Sequence, residues 1–324
     1  MENRPAPRDA ALIVNAHSRR GDEFFGEART KLAEAGIRLI AAHALHDPDE
    51  LTHAVREVVK RGVPMVIVGG GDGSLSSAVD ELVGSDCVFA VLPLGTANSF
   101  ARSLGIPLDL DGAIRTIATG QLRRIDLGVI NGDYFANSAA MVLSPVIGDT
   151  VPPQLKRRLG RLSYLVWAVA CVLRFRPFRL TVDDGREKHT LWASEVRIFN
   201  GGFHGGVELA EGVPIDDGLI VVQAVTGRSV LRLAWDWFAR FFRLPGRHLT
   251  TRTFEGVRLT LETRPSLPIS IDGEVLTSTP AVVECAHMAI EVVVPATGTS
   301  GPLTDAPARP QKDIADPRLG DLVA

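Results

Sequence analysis

Pro64, Met65, Val66, Ile67 and Val68 form an unbroken apolar run rich in β-branched residues. That is the pattern of a short strand buried on both faces. From Ser74 to Val83 the apolar positions instead recur at helical spacing, and a glycine turn separates the two patterns. The alternation repeats along the first third of the chain. Apolar runs at 11–15, 36–43 and 88–92 predict further strands, and amphipathic stretches at 23–35, 48–62, 99–104 and 111–119 predict helices. Strands alternating with helices imply right-handed parallel crossovers and hence a three-layer α/β domain.

After Arg124 this rhythm stops. Short strand-like runs take over at 126–130 and 134–139, joined by the hairpin signal Asn131-Gly132. Others follow at 178–182, 189–199, 219–225, 256–261, 269–271 and 281–294. The expected architecture is an N-terminal three-layer α/β domain with a parallel sheet (1–124), then a mostly antiparallel β-sandwich (125–296). The Pro-, Thr-, Asp- and Gly-rich stretch 297–324 is expected to be a disordered tail.

Composition narrows the class without changing this outline. The 324 residues are 45% hydrophobic and 23% charged, enough for two domains with a sizeable core. A formal net charge of -3 gives no general attraction to nucleic acid, so affinity for an anionic surface requires a local patch. Cys87, Cys171 and Cys285 fit neither a zinc site nor a disulfide framework, which points to a reducing cytoplasm. The first ten residues have no apolar core, so no secretory signal is expected there.

Two stretches do carry local patches. Lys156, Arg157, Arg158, Arg161, Arg174, Arg176 and Arg179 flank an apolar segment at 164–173, which is too short to span a bilayer at ~20 residues. Between Arg228 and Arg247, Trp235, Trp237, Phe238, Phe241 and Phe242 interleave with Arg232, Arg240 and Arg243. Such mixtures suit an anionic membrane surface. They equally suit helices that pack their rings inward and leave their arginines in water.

The candidate chemistry lies at the ends of the predicted parallel strands. Gly69, Gly70, Gly71, Asp72 and Gly73 join a strand to a helix start, where unpaired backbone N–H groups and absent Cβ atoms suit a phosphate. Alone, such a run is more often a tight turn. Pro93-Leu94-Gly95-Thr96-Ala97-Asn98 repeats the arrangement at the next strand end, and Asn15 to Gly21 offers a third polar turn. Ligands in open α/β sheets bind at this edge.

Gly70-Gly71-Asp72-Gly73-Ser74 followed by Pro93-Leu94-Gly95-Thr96-Ala97-Asn98-Ser99-Phe100-Ala101-Arg102 resembles the catalytic signature of the diacylglycerol kinase and sphingosine kinase superfamily, usually GGDGT and PLGTxNDFAR. Asp126-Leu127-Gly128 and Phe135-Ala136-Asn137 match its DLG and FxN positions, and the likeness runs from about Ala11 to about Pro295. The resemblance implies an ATP- and Mg²⁺-dependent lipid kinase. Asn15 and Ser18, with Arg19 adding charge, would touch nucleotide phosphates together with Gly70, Gly71, Asp72, Gly73, Ser74, Gly95, Thr96 and Asn98.

Phosphoryl transfer needs a carboxylate to take the acceptor proton and a metal to neutralise charge. Asp272 and Glu274 match the family's DGE turn, which implies Asp272 as general base and Glu274 as its support. Asp72 would serve the phosphate or metal side, although the roles of Asp72 and Asp272 can be exchanged. Asp217, in Asp216-Asp217-Gly218, resembles the family's turn that helps hold a structural Mg²⁺. An ordinary hairpin turn is the competing account of Asp272, because Asp-Gly is a common turn pair.

Val142 and Ser144 stand where the family commonly has Gly and Asp. A hydroxyl cannot pair with a sphingoid ammonium, so a diacylglycerol-like acceptor is favoured, with ceramide or sphingoid lipids left open. The expected partner is a lipid at the anionic inner membrane surface, met by a peripheral cytoplasmic enzyme of phospholipid biosynthesis. No nucleic acid is expected, and a homodimer is left open. The rival functions are a kinase of a soluble substrate, NAD kinase-like, and an inactive lipid-binding or regulatory homologue.

Overall fold

The computed structural model describes residues 4–16, 19–47, 50–141, 176–204, 207–208, 213–241, 250–272 and 274–296. Ser18, Val142, Ser144, the basic segment 156–174, Cys171, residues 242–249 and the tail from 297 lie outside them.

Strands β1 (Asp9–Asn15), β2 (Arg38–Leu45), β3 (Met65–Gly70) and β4 (Val88–Pro93) form a parallel sheet in the order β4-β3-β1-β2. Every residue of β3 and β4 is buried, as their continuous apolar runs require. Helix α1 (Arg19–Glu34) crosses from β1 to β2, whereas α2 (Glu50–Lys60) and α3 (Asp72–Val79) carry the chain the opposite way along the sheet. Right-handed crossovers therefore put α1 on one face and α2 with α3 on the other. Packing agrees, with α1 against α5 (Leu110–Thr119) and α2 against α3. Between β4 and α5 lies the short α4 (Ser99–Ser103).

One boundary differs from the sequence pattern in a way that matters. The α3 helix begins at Asp72, inside the glycine run, with Gly71 as its N-cap. Asp72 thus sits in the first turn, where a carboxylate is favoured by the helix dipole.

The second half contains β5 (Gln121–Ile130), β6 (Asp133–Phe135), β7 (Ser138–Met141), β8 (Phe178–Asp183), β9 (Lys188–Phe199), the small pair β10 (Phe203–His204) and β11 (Val207–Glu208), and β12 (Ile220–Thr226). Helix α6 (Val230–Phe241) precedes β13 (Thr251–Gly256), β14 (Arg258–Arg264), β15 (Pro268–Ile271), β16 (Glu274–Ser278) and β17 (Ala281–Val294). Pairing within it is antiparallel, as expected for the sandwich. Strands β13 and β16 were not legible as strands, because both are edge strands with mostly exposed side chains and little apolar alternation.

The two halves share one sheet. Strand β17 pairs antiparallel with β5 along most of its length and meets β4 in parallel where Val292 faces Phe89. The last strand therefore returns to the first domain and fixes the second domain against it.

Cross-strand register also sorts the two faces of the second sheet. The rung Ile271–Ala139–Ile198–Val222 points into the apolar core of the sandwich. The neighbouring rung Val275–Ser270–Ala140–Arg197–Gln223 lies on the opposite face. Helix α6 packs on that second face. Asp236 lies 2.9 Å from the Arg197 guanidinium and accepts from Thr250 Oγ1 at 2.6 Å, and Trp237 Nε1 donates to Glu195 at 2.9 Å. Desolvation opposes the charge of Arg197, but Glu195 and Asp236 outweigh it and hold the guanidinium protonated.

Candidate active site

Strands β1, β3 and β4 end at one edge of the parallel sheet, so their three turns converge. Asn15 Nδ2 donates to Ser74 Oγ at 2.9 Å, tying the end of β1 to the first turn of α3. The turns after β3 and β4 touch backbone to backbone. A Cβ built on Gly95 would lie 2.6 Å from the Cα of Gly71, so these two glycines make the approach possible.

Asn98 closes the second turn from within. Its Oδ1 accepts from Gly95 N and its Nδ2 donates to Gly95 O, both at 2.8 Å, while its backbone adopts the left-handed conformation at φ 49°. Asp72 then binds the two turns together, its Oδ1 accepting from Phe100 N at 3.0 Å at the start of α4. The N-cap of α3, Gly71, makes no side-chain cap hydrogen bond, so the first-turn N–H groups of that helix remain available to an anion.

Asp272 reaches this edge from the other domain. It follows β15 in the hairpin to β16, again left-handed at φ 45°. Left-handed backbone is the ordinary conformation of an Asp or Asn before Gly in a tight hairpin, as at Asn131, so it is the side-chain contacts that set Asp272 apart. The surroundings here are specific. Oδ1 accepts from Ser138 N at 3.1 Å, and Oδ2 accepts from Ala136 N at 3.2 Å and from Ser76 Oγ at 2.5 Å. The break between β6 and β7 at Ala136 and Asn137 turns these N–H groups towards the carboxylate.

Ser76 belongs to α3, one turn after Asp72. Residues 72, 76 and 80 fall on one helix face at i, i+4 and i+8, and that face looks at Asp272. Burial pushes the Asp272 carboxyl up to about 6, the hydrogen bonds from Ser76, Ser138 and Ala136 oppose the rise, and Asp72 adds to it. Asp80 is pushed up to about 6 as well, by desolvation first and then by Asp133, Glu81 and Asp272. A carboxylate with such a value can accept a proton near neutral pH.

The remaining expected site residues fall into three groups. Gly73 and Thr96 are exposed at the same mouth. The Ser18 position and the Arg19 side chain lie outside the described residues, Arg19 being the first residue of α1. Glu274 is exposed at the start of β16; among the described residues the hydrogen-bond partners of the Asp272 carboxylate are Ser76, Ala136 and Ser138, and Glu274 is not one of them.

Asp217 belongs to a different cluster. Its Oδ1 accepts from Leu219 N at 3.1 Å, beside buried Asp126, which takes Gly218 N and Met288 N at 2.7 Å and His287 Nδ1 at 2.8 Å. Among the described residues no group of three or more His, Cys, Asp or Glu side chains is arranged to hold a metal.

Comparison with known proteins agrees with this geometry. Residues 9–130 match the diacylglycerol kinase catalytic domain, and residues 148–294 match the YegS C-terminal NAD kinase beta sandwich-like domain. A probable lipid kinase YegS-like of Chromohalobacter salexigens is 31% identical over 273 residues, which cover 82% of this chain and 86% of that protein. The chain belongs to the diacylglycerol kinase catalytic-domain family of lipid kinases. The diacylglycerol kinase of Bacillus subtilis is 29% identical over 88% of this chain and 96% of its own length. A crystal structure of a Bacillus anthracis diacylglycerol kinase shares the fold, with a TM-score of 0.69 at 20% identity over 89% of this chain and 97% of that one.

Within this family frame, Ser76 is the site residue that motif reading missed. Its signal was present as the four-residue spacing from Asp72, but nothing in the sequence says which face of α3 meets the other domain.

Proposed function

We propose that this lipid kinase transfers the γ-phosphate of ATP to a hydroxyl of a diacylglycerol-like membrane lipid, with Asp272 as the general base. The observation that carries the proposal is the Ser76–Asp272 hydrogen bond. It puts a carboxylate with a raised proton affinity beside the helix whose uncapped N-terminus suits phosphate.

The residues fit the expected nucleotide. Bare Gly70, Gly71 and Gly73, the open N-terminus of α3 and the turn closed by Asn98 form a cradle of backbone N–H groups, with Asn15 holding Ser74 in place. They also fit Mg²⁺, which takes one or two carboxylates plus phosphate oxygens, through the Asp72 carboxylate in the first turn of α3 beside the glycine turns. When bound, the metal would neutralise charge on the transferring phosphoryl group.

The chain's own contribution is placement and proton transfer. Asp72 fixes the relation of the two turns through Phe100 N, and Ser138 and Ala136 aim the Asp272 carboxylate. Asp272 then accepts the acceptor hydroxyl proton as the oxygen attacks phosphorus. The acceptor is drawn from an anionic bilayer at the inner membrane surface, which fits a chain whose described helices are all too short or too polar to cross a membrane.

The test is transfer from γ-labelled ATP to lipids in mixed vesicles by wild type and Asp272→Asn. Labelled lipid from the wild type and at least about a hundredfold less from the variant is expected, as for loss of a general base. Undiminished transfer by folded Asp272→Asn overturns the assignment, and phosphorylation of NAD in place of lipid overturns the acceptor class.

A further inference from the structure

Helix α6 is packed on one side and bare on the other. Its inner side holds Leu233, Ala239 and the fully buried Asp236, locked to Arg197 and Thr250. Rolling the helix would pull Asp236 out of that network and leave Arg197 buried without one of its two carboxylates. The outer side therefore cannot turn inward. It presents Leu231 (80% exposed), Trp235 (52%) and Phe238 (49%) at i, i+4 and i+7, with the two rings tilted against each other, centroids 5.9 Å apart.

Cations gather at the N-terminal end of this stripe. Arg228 lies 3.9 Å above the Trp192 ring and Arg179 lies 5.4 Å from the same ring, both exposed. Arg232, also exposed, passes beside Gly227.

We propose that the Leu231–Trp235–Phe238 stripe and the Arg179, Arg228 and Arg232 cluster form the surface on which this chain docks to an anionic bilayer. Leu and aromatic rings on a helix lying in the interface, with arginines at headgroup level, are the chemistry such a surface takes. The cationic end of the stripe complements an anionic surface, whereas a second copy would offer it only the same apolar and cationic groups.

The proposal rests on the lipid-kinase reading, and its test separates the two. Full-length wild type is sedimented with vesicles of phosphatidylcholine alone and of phosphatidylcholine with phosphatidylserine, alongside Leu231→Ser/Trp235→Ser/Phe238→Ser and Arg228→Gln/Arg232→Gln. Kinase activity is measured in parallel on short-chain diacylglycerol in detergent micelles.

Docking predicts that the triple variant loses binding to both vesicles by roughly a hundredfold or more. The arginine pair should lose about thirtyfold on the anionic vesicles only. Both variants should keep wild-type melting and micellar activity, and Trp235 emission should shift to the blue on binding. Wild-type binding by the triple variant overturns the proposal, as does a wild type that binds no vesicle, or a triple variant whose only change is from dimer to monomer. Vesicle binding by a wild type that phosphorylates no lipid would instead overturn the kinase reading and leave the docking surface standing.

Discussion

Removing one hydroxyl, in Ser76→Ala, tests how α3 controls Asp272. The Ser76 hydrogen bond favours the ionised carboxylate, so its loss raises the Asp272 proton affinity above its present value of about 6. A hydrogen bond to a charged group contributes about 1.5–3 kcal/mol, and the protonated acid keeps part of it. A difference near 1.4 kcal/mol corresponds to about one pKa unit. The base acts when deprotonated, so the acid limb of kcat/KM should move from about pH 6 to about pH 7. At pH 6 the variant should then be about fivefold slower than wild type, and near pH 8 the two should converge. Ser76→Thr, which keeps the hydroxyl, should restore the limb. Neighbouring charges set the background, since Asp72 pushes the same carboxyl upward and Asp80 shares the α3 face. A profile for Ser76→Ala that superimposes on wild type, or that falls evenly at every pH, would refute the reasoning.

Three other outcomes follow from the same contacts. Gly95→Ala places a methyl group against the Gly71 backbone, 2.6 Å from its Cα, so the two turns must separate; the KM for ATP should rise at least about tenfold and stability should fall by about 1–3 kcal/mol, checked by steady-state kinetics and melting. Arg197→Met leaves Glu195 and Asp236 buried without their cation and should destabilise the chain by about 3–5 kcal/mol in urea titration. Asp272→Asn should gain stability relative to wild type as pH rises from 4 to 7.5, because an ionised Asp272 with a raised folded-state pKa costs stability above its unfolded value of 3.8. That cost is full above about pH 6 and disappears as pH falls towards 3.8, so the gain of the variant should shrink over that window, as followed by melting from pH 7.5 to pH 4.

Periodicity and glycine placement in the sequence determined the alternating α/β half, the long run Ala281–Val294 and the convergence of three turns at one sheet edge. These are local properties: a strand buried on both faces must be continuously apolar, and a close approach to an anion or another backbone requires glycine. The motif Asp272-Gly273-Glu274 was visible too, but its two carboxylates look alike in sequence. Tertiary structure separates them, carrying Asp272 to Ser76 and leaving Glu274 exposed. Register and inter-domain pairing decide such matters, and they depend on residues far apart in the chain. The return of β17 to β4, the choice of which α3 face meets the sandwich, and the locking of α6 by Arg197 with its apolar stripe outward are all of this kind. No local pattern distinguishes the buried side of an amphipathic helix from its bare side when both carry aromatic rings; the buried ion pair does.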